Sequence, residues 1–382
     1  MGKLAEQENV KLYLVGGAIR DRLNKDNTLD IDLACEGSVK HFGKRLAKEL
    51  DAKFIYYPSF QTGTIESLQG ARIDLAATRK ETYPRKGELP KVEHASIHED
   101  IYRRDFTINA IAESLNPGEY GKILDPLNGI SDIKKRLIRV LHDESFEDDP
   151  TRIFRAVRYS ARLRFRIEPE TFNLLKRSVP RLIKLSGERI LYELKCIARE
   201  DSKVRVNTIK RLEALGALNF LGKPLRPLSP TELNRISSDD SCAFLCFLLS
   251  HFENASLSKL PLSKRCLNTI ETISKIYILQ TELKKPRKPS QITSVLKKYD
   301  ERGLEIITVT SKFKVFQKII SYLENYSKIK IKTTGEDLKR LGIKPGPKYG
   351  EILDLILKAR LDGLIEGKKE EIRYAKKFLE GC

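Results

Sequence analysis

Residues 13–34 read YLVGGAIRDRLNKDNTLDIDLA, and this stretch decides how the N-terminal part of the chain folds. An apolar run ends at Gly16 and Gly17, and a helical pattern begins directly after it. Glycines at such a turn let backbone N–H groups approach a phosphate, and the helix N-terminus adds a positive end. Downstream, Asp30 and Asp32 are two residues apart in a strand-like run, so both belong to one strand face.

Two carboxylates this close repel each other, and a divalent cation with oxygen ligands, such as Mg²⁺, removes the repulsion. Asp74, in the run RIDLAA, supplies a third acid in a strand-like context. Three carboxylates can hold two ions about 3.5–4 Å apart, one for an attacking hydroxyl and one for a leaving pyrophosphate. The alternative is a pair of solvated acids on an edge strand, preceded by a glycine turn that binds nothing.

Composition favours a polyanionic partner. The chain has 382 residues, a net charge of +19 and a pI near 9.5, so nucleic acid is the simplest partner, although a basic surface also serves solubility. The chain lacks both an apolar run of membrane-spanning length and a signal-peptide pattern, so we expect a cytoplasmic protein with no membrane contact. Six scattered cysteines suggest reduced thiols, and Cys242 and Cys246, with only His251 nearby, are interpreted as core residues.

The chain changes character near residue 140. Before it, β-like runs alternate with helical patterns, which predicts an α/β or α+β domain with one sheet. The β-like runs are 11–15, 29–34, 53–57, 62–68 and 71–77, and the helical patterns are 17–24, 38–50 and 104–114. From Glu147 onward the pattern is almost wholly helical, with examples at 149–163, 169–177, 186–199, 204–215, 240–252, 263–281 and 289–299.

Six motifs, in order, resemble those of the class II tRNA nucleotidyltransferases and the related bacterial poly(A) polymerases, within the DNA polymerase β superfamily. They are LVGGAIRD…DID (14–32), RRDFTINAIA (103–112), LDPLNGISDIKKRLIR (124–139), DDPTRIFRAVRYSARL (148–163), LSGERILYELKCI (185–197) and TGEDLKRLGIKPGPKYGEIL (334–353). The resemblance covers about residues 10–375. It implies an α+β head with a five-stranded mixed sheet, followed by an all-α neck, body and tail in an elongated, seahorse-like shape. The implied domains are a head at 1–140, a neck at 141–200, a body at 201–285 and a tRNA-binding tail at 286–382.

Carried over residue by residue, the family's metal ligands fall on Asp30 and Asp32, with Asp74 as the third catalytic acid. The predicted nucleotide-binding residues are Gly16, Gly17, Arg20, Arg104, Asp149, Arg152, Arg155 and Arg158. The implied cofactors are two Mg²⁺ ions, with ATP as substrate and CTP as a further substrate of a full CCA-adding enzyme.

Asp149 and Arg152 match the pair that reads the incoming base without a template. Independently of the family, they are three residues apart on a predicted helix, so we expect them to be neighbours. Together they offer acceptors and a planar fork of donors to the Watson–Crick edge of A or C. The alternatives are a simple helix ion pair and, for the arginines from Arg152 to Arg162, a solvated stripe.

The resemblance implies a template-independent enzyme that adds nucleotides to the 3′ end of tRNA and releases pyrophosphate. Asp148 stands where many relatives have glutamate, which favours an enzyme that adds only the terminal A over one that adds all of CCA. The loop at 78–102 is full length and basic, which argues against a CC-adding enzyme. A poly(A) polymerase and a non-catalytic RNA-binding protein are the alternatives.

The tail carries the prediction about tRNA. Lys344 and Lys348 flank a Gly- and Pro-rich turn before a helix that begins near residue 349, and we expect them to bind phosphates of the stacked acceptor and T stems. The alternative is a helical hairpin that only packs the tail. A monomer is favoured.

Overall fold

The structure, a computed structural model, describes residues 1–24, 30–66, 72–88, 90–222, 224–225, 228–236, 240–285, 287–311 and 313–380. Within these ranges the side chains of residues 30, 254, 379 and 380 lie outside the description. The chain divides into two compact units, Met1–Phe220 and Leu221–Cys382. The finer division into head, neck, body and tail stays a prediction.

Both strands and helices build the first unit. Its strands are β1 (Lys11–Val15), β2 (Asp30–Glu36), β3 (Lys53–Tyr57), β4 (Thr62–Glu66), β5 (Arg72–Ala77), β6 (Arg79–Thr82), β7 (Lys91–His94), β8 (Ala112–Ser114), β9 (Ile123–Leu124), β10 (Leu137–Ile138) and β11 (Arg166–Ile167). Its helices are α1 (Gly2–Gln7), α2 (Gly17–Asn24), α3 (Val39–Glu49), α4 (Ile97–Tyr102), α5 (Gly129–Lys135), α6 (Ser145–Asp148), α7 (Thr151–Leu163), α8 (Pro169–Ser178), α9 (Gly187–Ala198) and α10 (Ser202–Ala214).

One mixed sheet has the strand order β3-β4-β5-β2-β1-β8-β9. Strands β2 and β5 are parallel, and the other neighbouring strands are antiparallel. The five predicted strands are confirmed as β1 to β5. The predicted count of five is wrong, because β8 pairs with β1 and β9 pairs with β8, which makes seven strands.

Two local predictions in this unit are wrong, because both segments contain strands that the sequence pattern does not indicate. The helix predicted at 104–114 is only a 3₁₀ turn at Thr107–Asn109 followed by β8, because pairing of Ala112 with Val15 of β1 holds the segment extended. The loop predicted at 78–102 contains the antiparallel ribbon β6–β7 and helix α4. The strands of the ribbon have few apolar residues, so the sequence carries no alternating pattern there.

Side chains alternate between the two faces of the sheet, and both faces are covered. Leu33 packs with Phe42 of α3 in one apolar cluster, whereas the next residue, Ala34, packs with Ile101 of α4 in another. Asp32 has the same parity as Ala34, so it belongs to the face covered by α4, away from α3. This alternation places the carboxylate beside the segment that follows α4.

The helices predicted for residues 149–215 are confirmed as α7 to α10, within a few residues at each end. Helix α7 packs against α9 and α10, and one side of it is buried. Its other side faces the segment after α4 and the turn at the C-terminal end of β1.

The described residues of the second unit form helices joined by loops, with no strand among them. Its helices are α11 (Pro230–Arg235), α12 (Ser241–Leu249), α13 (Asn254–Leu257), α14 (Lys264–Ser274), α15 (Ile276–Lys284), α16 (Pro289–Leu296), α17 (Glu301–Thr310), α18 (Phe313–Glu324), α19 (Gly335–Arg340), α20 (Pro347–Leu361) and α21 (Gly367–Glu380). The single helix predicted at 263–281 is divided at Lys275. Among the described residues, no helix is both long enough and apolar enough to cross a membrane.

The last three helices have their own apolar core. Leu338 of α19, Ile352 and Ile356 of α20, and Ala375 of α21 form one buried cluster. Glu371 is fully buried beside it, and its Oε2 accepts hydrogen bonds from the backbone of the extended segment before α19. These contacts give the C-terminal segment a defined structure.

Candidate active site

A cavity of about 400 Å³ opens in the first unit where the turn after β1, strand β2, the segment after α4 and helix α7 converge. Its lining is mostly polar and charged. The predicted site residues that line it are Gly16, Gly17, Arg20, Asp32, Arg104, Asp149, Arg152 and Arg155.

The glycine turn brings the first two of these elements together. Strand β1 ends at Val15, Gly16 adopts a φ of 66°, and α2 begins at Gly17. A left-handed φ is accessible to glycine at little cost. A Cβ at Gly16 would lie 3.4 Å from Arg104 Nη1 and 3.7 Å from Asp32 Oδ2, so the turn backbone approaches both charged groups closely.

The acids lie on adjacent parallel strands. Asp32 of β2 is in register with Asp74 of β5, and both border a neighbouring cavity of about 460 Å³. Asp74 accepts a hydrogen bond from Thr64 Oγ1 at 2.7 Å and forms an ion pair with Arg72 at 3.0 Å. Asp30 precedes Asp32 by two residues in β2, and its side chain lies outside the described part of the chain. Asp32 therefore borders both cavities, whereas Asp74 borders only the second.

Arg103 and Arg104 are held by one buried acid. Asp100 of α4 accepts from Arg103 Nε at 2.9 Å and from Arg104 Nη2 at 2.8 Å. Burial alone would raise the pKa of Asp100, but Arg104 and Arg103 together hold it below its usual value. A stable carboxylate therefore fixes two guanidinium groups at the cavity wall.

Arg20 is almost fully buried beneath the glycine turn. Its Nε donates to Asp21 Oδ1 at 2.7 Å, and its Nη1 donates to Asn109 Oδ1 at 2.6 Å. Its guanidinium carbon lies 5.5 Å from the ring centre of Tyr159. The same ring has Arg155 at 5.4 Å and Arg162 at 5.8 Å, which is cation–π distance. Three of the arginines that line the cavity therefore lie around the ring of Tyr159.

Arg155 is anchored by a buried carboxylate. Asp105 Oδ2 accepts from Arg155 Nε at 2.8 Å and from Nη2 at 2.7 Å, and Asp105 Oδ1 accepts from Asn109 Nδ2 at 3.0 Å. Burial would raise the pKa of Asp105, but the charge of Arg155 and the Asn109 hydrogen bond hold it at about 2. Burial likewise opposes the charge of Arg155, yet Asp105 raises its pKa above the usual value. The pair is ionised in the folded protein.

The prediction that Asp149 and Arg152 share a helix is wrong. Asp149 is extended, with φ −133°, because it precedes Pro150, and α7 begins only at Thr151. Asp149 forms an ion pair with Arg189 of α9. Both residues of the predicted pair still line the cavity, but each has partners of its own.

Arg152 is 4% exposed, so it does not belong to a solvated stripe. Its Nη1 donates to Ser145 Oγ, and its Nη2 donates to the carbonyl of Arg103 at 2.9 Å. Arg158 is also buried, forms an ion pair with Glu200 at 3.0 Å and does not line the cavity.

The tip of the β6–β7 ribbon meets the same elements. Gly87, with φ 85°, donates its N–H to the carbonyl of Asp148 at 3.2 Å and accepts from Arg189 Nη1 at 2.9 Å. Lys86 forms an ion pair with Glu147 at 3.5 Å. Arg189 therefore links the ribbon tip to Asp149, the predicted base-reading carboxylate.

Sequence reasoning missed several lining residues. Arg103, Asp105 and Asn109 lie in the quoted motif RRDFTINAIA, but only Arg104 was singled out. Tyr159 is one helical turn beyond Arg155, and this spacing was a signal that it shares the same face. Glu81 and Tyr83 come from the ribbon, which the sequence pattern did not reveal.

The two tail lysines lie in the second unit. Lys344 and Lys348 are exposed and border a cavity of about 580 Å³ at the start of α20, together with Gly342 and Gly346. The helix begins at Pro347, two residues before the predicted position.

A glycine turn before a helix, a strand carboxylate and a wall of anchored arginines can hold a triphosphate and a hard cation side by side. This fold and site define a nucleotidyltransferase head. Residues 12–139 match the family described as the poly A polymerase head domain.

Relatives that match this chain over almost all of its residues narrow the class. The chain is 32% identical to the A-adding tRNA nucleotidyltransferase of Halalkalibacterium halodurans, over 99% of this chain and 91% of that protein. It is also 32% identical to the A-adding tRNA nucleotidyltransferase of Geobacter sulfurreducens, of which it spans 47%. A solved structure of a CCA-adding enzyme in an apo form superposes with a TM-score of 0.80 at 31% identity, covering 100% of this chain and 94% of that one. The chain belongs to the tRNA nucleotidyltransferase family.

Proposed function

We propose that this protein adds the terminal A, from ATP, to the 3′ end of tRNA, with release of pyrophosphate. The observation that carries the proposal is the cavity itself, which joins the Gly16–Gly17 turn and Asp32 to the arginines of α7. The triphosphate lies against the turn and the guanidinium groups, and the base reaches Asp149 and Arg152 at the other side of the cavity. The RNA 3′-hydroxyl attacks the α-phosphorus beside Asp32, and the bond to the β-phosphate breaks.

We assign the metal site to Asp30 and Asp32, with Asp74 as a third acid. The oxygen donors of Asp32, which borders two cavities, suit a hard cation such as Mg²⁺. The assignment of Asp74 as the third acid depends on its register with Asp32 on the neighbouring strand. Its own carboxylate oxygens accept a hydrogen bond from Thr64 and form an ion pair with Arg72. Ions bound there would favour deprotonation of the 3′-hydroxyl and offset the charge of the leaving pyrophosphate.

The protein's own residues supply the rest of the site. Asp105 and Asp100 orient the guanidinium groups before substrate arrives, which lowers the cost of ordering them on binding. Asp149 and Arg152 offer an acceptor and a donor fork to the base, so their positions decide which nucleotide fits. Arg189 and the ribbon tip hold Asp149 in place.

Addition of A alone is supported by the A-adding relatives, whereas the segment 78–102 with its ribbon argues only against an enzyme that adds CC and no A. A full CCA-adding activity is the second candidate, because the solved structure named above, which resembles the whole chain, is a CCA-adding enzyme. A poly(A) polymerase shares the head, but the relatives named above are tRNA nucleotidyltransferases.

We assign tRNA recognition to the second unit. Lys344 lies in the turn before the 15-residue helix α20 and Lys348 lies in its first turn, so both charges border one cavity at the N-terminal end of that helix. Phosphates of the acceptor and T stems are the partner that this arrangement suits.

The test uses three tRNA substrates, which lack CCA, CA or only the terminal A, each with ATP or CTP alone. An A-adding enzyme extends only the third, by one nucleotide, and only with ATP. Efficient addition of C to the first two, together with addition of A to the third, identifies a CCA-adding enzyme. Long A tails on an unrelated RNA would reject tRNA as the substrate.

A further inference from the structure

Three thiols of the second unit lie together on two neighbouring helices. Among the described residues, the sulfur atoms of Cys242, Cys246 and Cys266 lie within 4.8 Å of one another. Cys246 is buried, Cys266 is half-buried and Cys242 is exposed. The interpretation of both Cys242 and Cys246 as core residues is therefore wrong for Cys242. The third thiol comes from a later helix, which sequence spacing did not reveal.

Local structure explains how the three side chains meet. Cys242 and Cys246 are four residues apart on α12, so they share a face of that helix. Helix α12 packs against α14, which carries Cys266 in its first turn. Ser263 caps α14, and its Oγ accepts from the N–H of Cys266 at 3.2 Å. This cap and the packing of α14 against α12 together fix the position of Cys266.

Two of the three thiols lie at the N-terminal ends of their helices. Cys242 and Cys266 both lie in the first turn of their helices, and the positive end of a helix dipole stabilises a nearby anion. Cys246 lies one turn deeper, where burial, followed by the charges of Cys242 and Cys266, raises its pKa.

We propose that Cys242, Cys246 and Cys266 form a three-thiolate site for a thiophilic divalent ion of the Zn²⁺ type, which joins α12 to α14. Thiolates bind Zn²⁺ at about 2.3 Å, so three of them around one ion lie about 4 Å apart, which the observed cluster accommodates. The binding releases the thiol protons to solvent and involves no change of oxidation state. Because Cys242 is exposed, the fourth position is open to water, and the ion is exchangeable.

A hard cation and a disulfide explain the cluster of three thiols less well than a thiophilic ion does. A hard cation such as Mg²⁺ prefers oxygen ligands, so the site is distinct in chemistry from the carboxylates of the first unit. A disulfide would use two of the three sulfurs and leave the third unused, whereas a metal ion uses all three.

The test measures Cd²⁺ binding, because thiolate-to-Cd²⁺ charge transfer gives an absorption band that carboxylate ligands do not produce. Full-length, untagged, reduced protein is titrated without oxygen in a large excess of Mg²⁺, which occupies the carboxylates. We expect one Cd²⁺ per chain with this band, displaced by Zn²⁺, and a rise in the melting temperature on binding. Cys266→Ser is expected to lower the affinity by more than about 100-fold, because even outer-shell changes cost about 10- to 100-fold.

Cys196→Ser is the matched control, because Cys196 is half-buried on α9 of the first unit, and it is expected to bind Cd²⁺ like the wild type. Cys242→Ser changes an exposed side chain, so it keeps the test valid if Cys266→Ser does not fold. The absence of the thiolate band in the wild type overturns the proposal. Equal affinity of the wild type and a folded cluster variant also overturns it.

Discussion

The pair formed by Asp105 and Arg155 permits a quantitative prediction for Asp105→Asn. Asp105 is 8% exposed and accepts two hydrogen bonds from Arg155 and one from Asn109. Holding its pKa at about 2 instead of 3.8 corresponds to about 2 kcal/mol of stability at pH 7. The variant also removes the closest carboxylate from the half-buried Arg155, and the cost of about 3–5 kcal/mol for breaking a fully buried pair is the upper limit for this change. We therefore expect the free energy of unfolding to fall by about 2–5 kcal/mol.

The sign of the pH dependence follows from the lowered pKa. The contribution of the Asp105 carboxylate is complete above about pH 4 and is lost as the pH falls towards 2, where the folded protein also binds the proton. The stability difference between the wild type and Asp105→Asn should therefore be constant from pH 7 to about 5 and shrink below pH 4.

The assay is urea unfolding followed by circular dichroism at a series of pH values. Glu119→Gln is the control, because it removes an exposed ion pair with Lys122, and we expect little change. Equal stability of Asp105→Asn and the wild type at pH 7 would refute the argument. A difference that does not shrink in acid would show that the carboxylate's charge is not its cause.

Four further changes test the base pocket and the tail. Arg152→Ala should lower selectivity among nucleoside triphosphates by about 5- to 150-fold, since a good base contact is worth about 1–3 kcal/mol, and unchanged kcat/KM ratios would make this residue purely structural. Arg189→Ala should expose the ribbon tip to limited proteolysis and reduce the preference for ATP over CTP, whereas Arg189→Lys should retain part of both. Removal of residues 330–382 should raise the KM for tRNA far more than the KM for ATP. Lys344→Glu combined with Lys348→Glu should flatten the salt dependence of tRNA binding, because fewer counterions are released, and an unchanged slope would exclude these lysines from the interface.

The central strands were predictable because their side chains alternate between two buried faces. Strands β8 and β9 were not, because they have three and two residues, and they join the sheet only because β8 pairs with the distant strand β1 and β9 pairs with β8. The segment containing Ala112 has good helix formers, and long-range pairing with β1 overrides that preference.

The candidate site was predictable to the extent that its residues lie in local motifs. The Gly16–Gly17 turn and Asp32 were predictable because strand β1, the turn and strand β2 follow one another within a short stretch of sequence. The partners Asp105 for Arg155 and Arg189 for Asp149 are 50 and 40 residues away along the chain, so no local pattern indicates them. Pro150 is visible in the sequence, and a proline disfavours a helical conformation at the residue before it. The predicted helical pair of Asp149 and Arg152 does not take this effect into account.

The most direct test of the central claim compares the wild type with Asp32→Asn on tRNA that lacks only its terminal A. The assay follows transfer of labelled AMP from ATP and release of pyrophosphate in Mg²⁺, with tRNA affinity measured in parallel and Glu119→Gln as the control. Because Asp32 borders the cavity and its carboxylate is assigned to the metal, we expect no detectable transfer by Asp32→Asn, full transfer by Glu119→Gln and unchanged tRNA affinity in both. Substantial turnover by Asp32→Asn would contradict the assignment of this cavity as the site of nucleotidyl transfer.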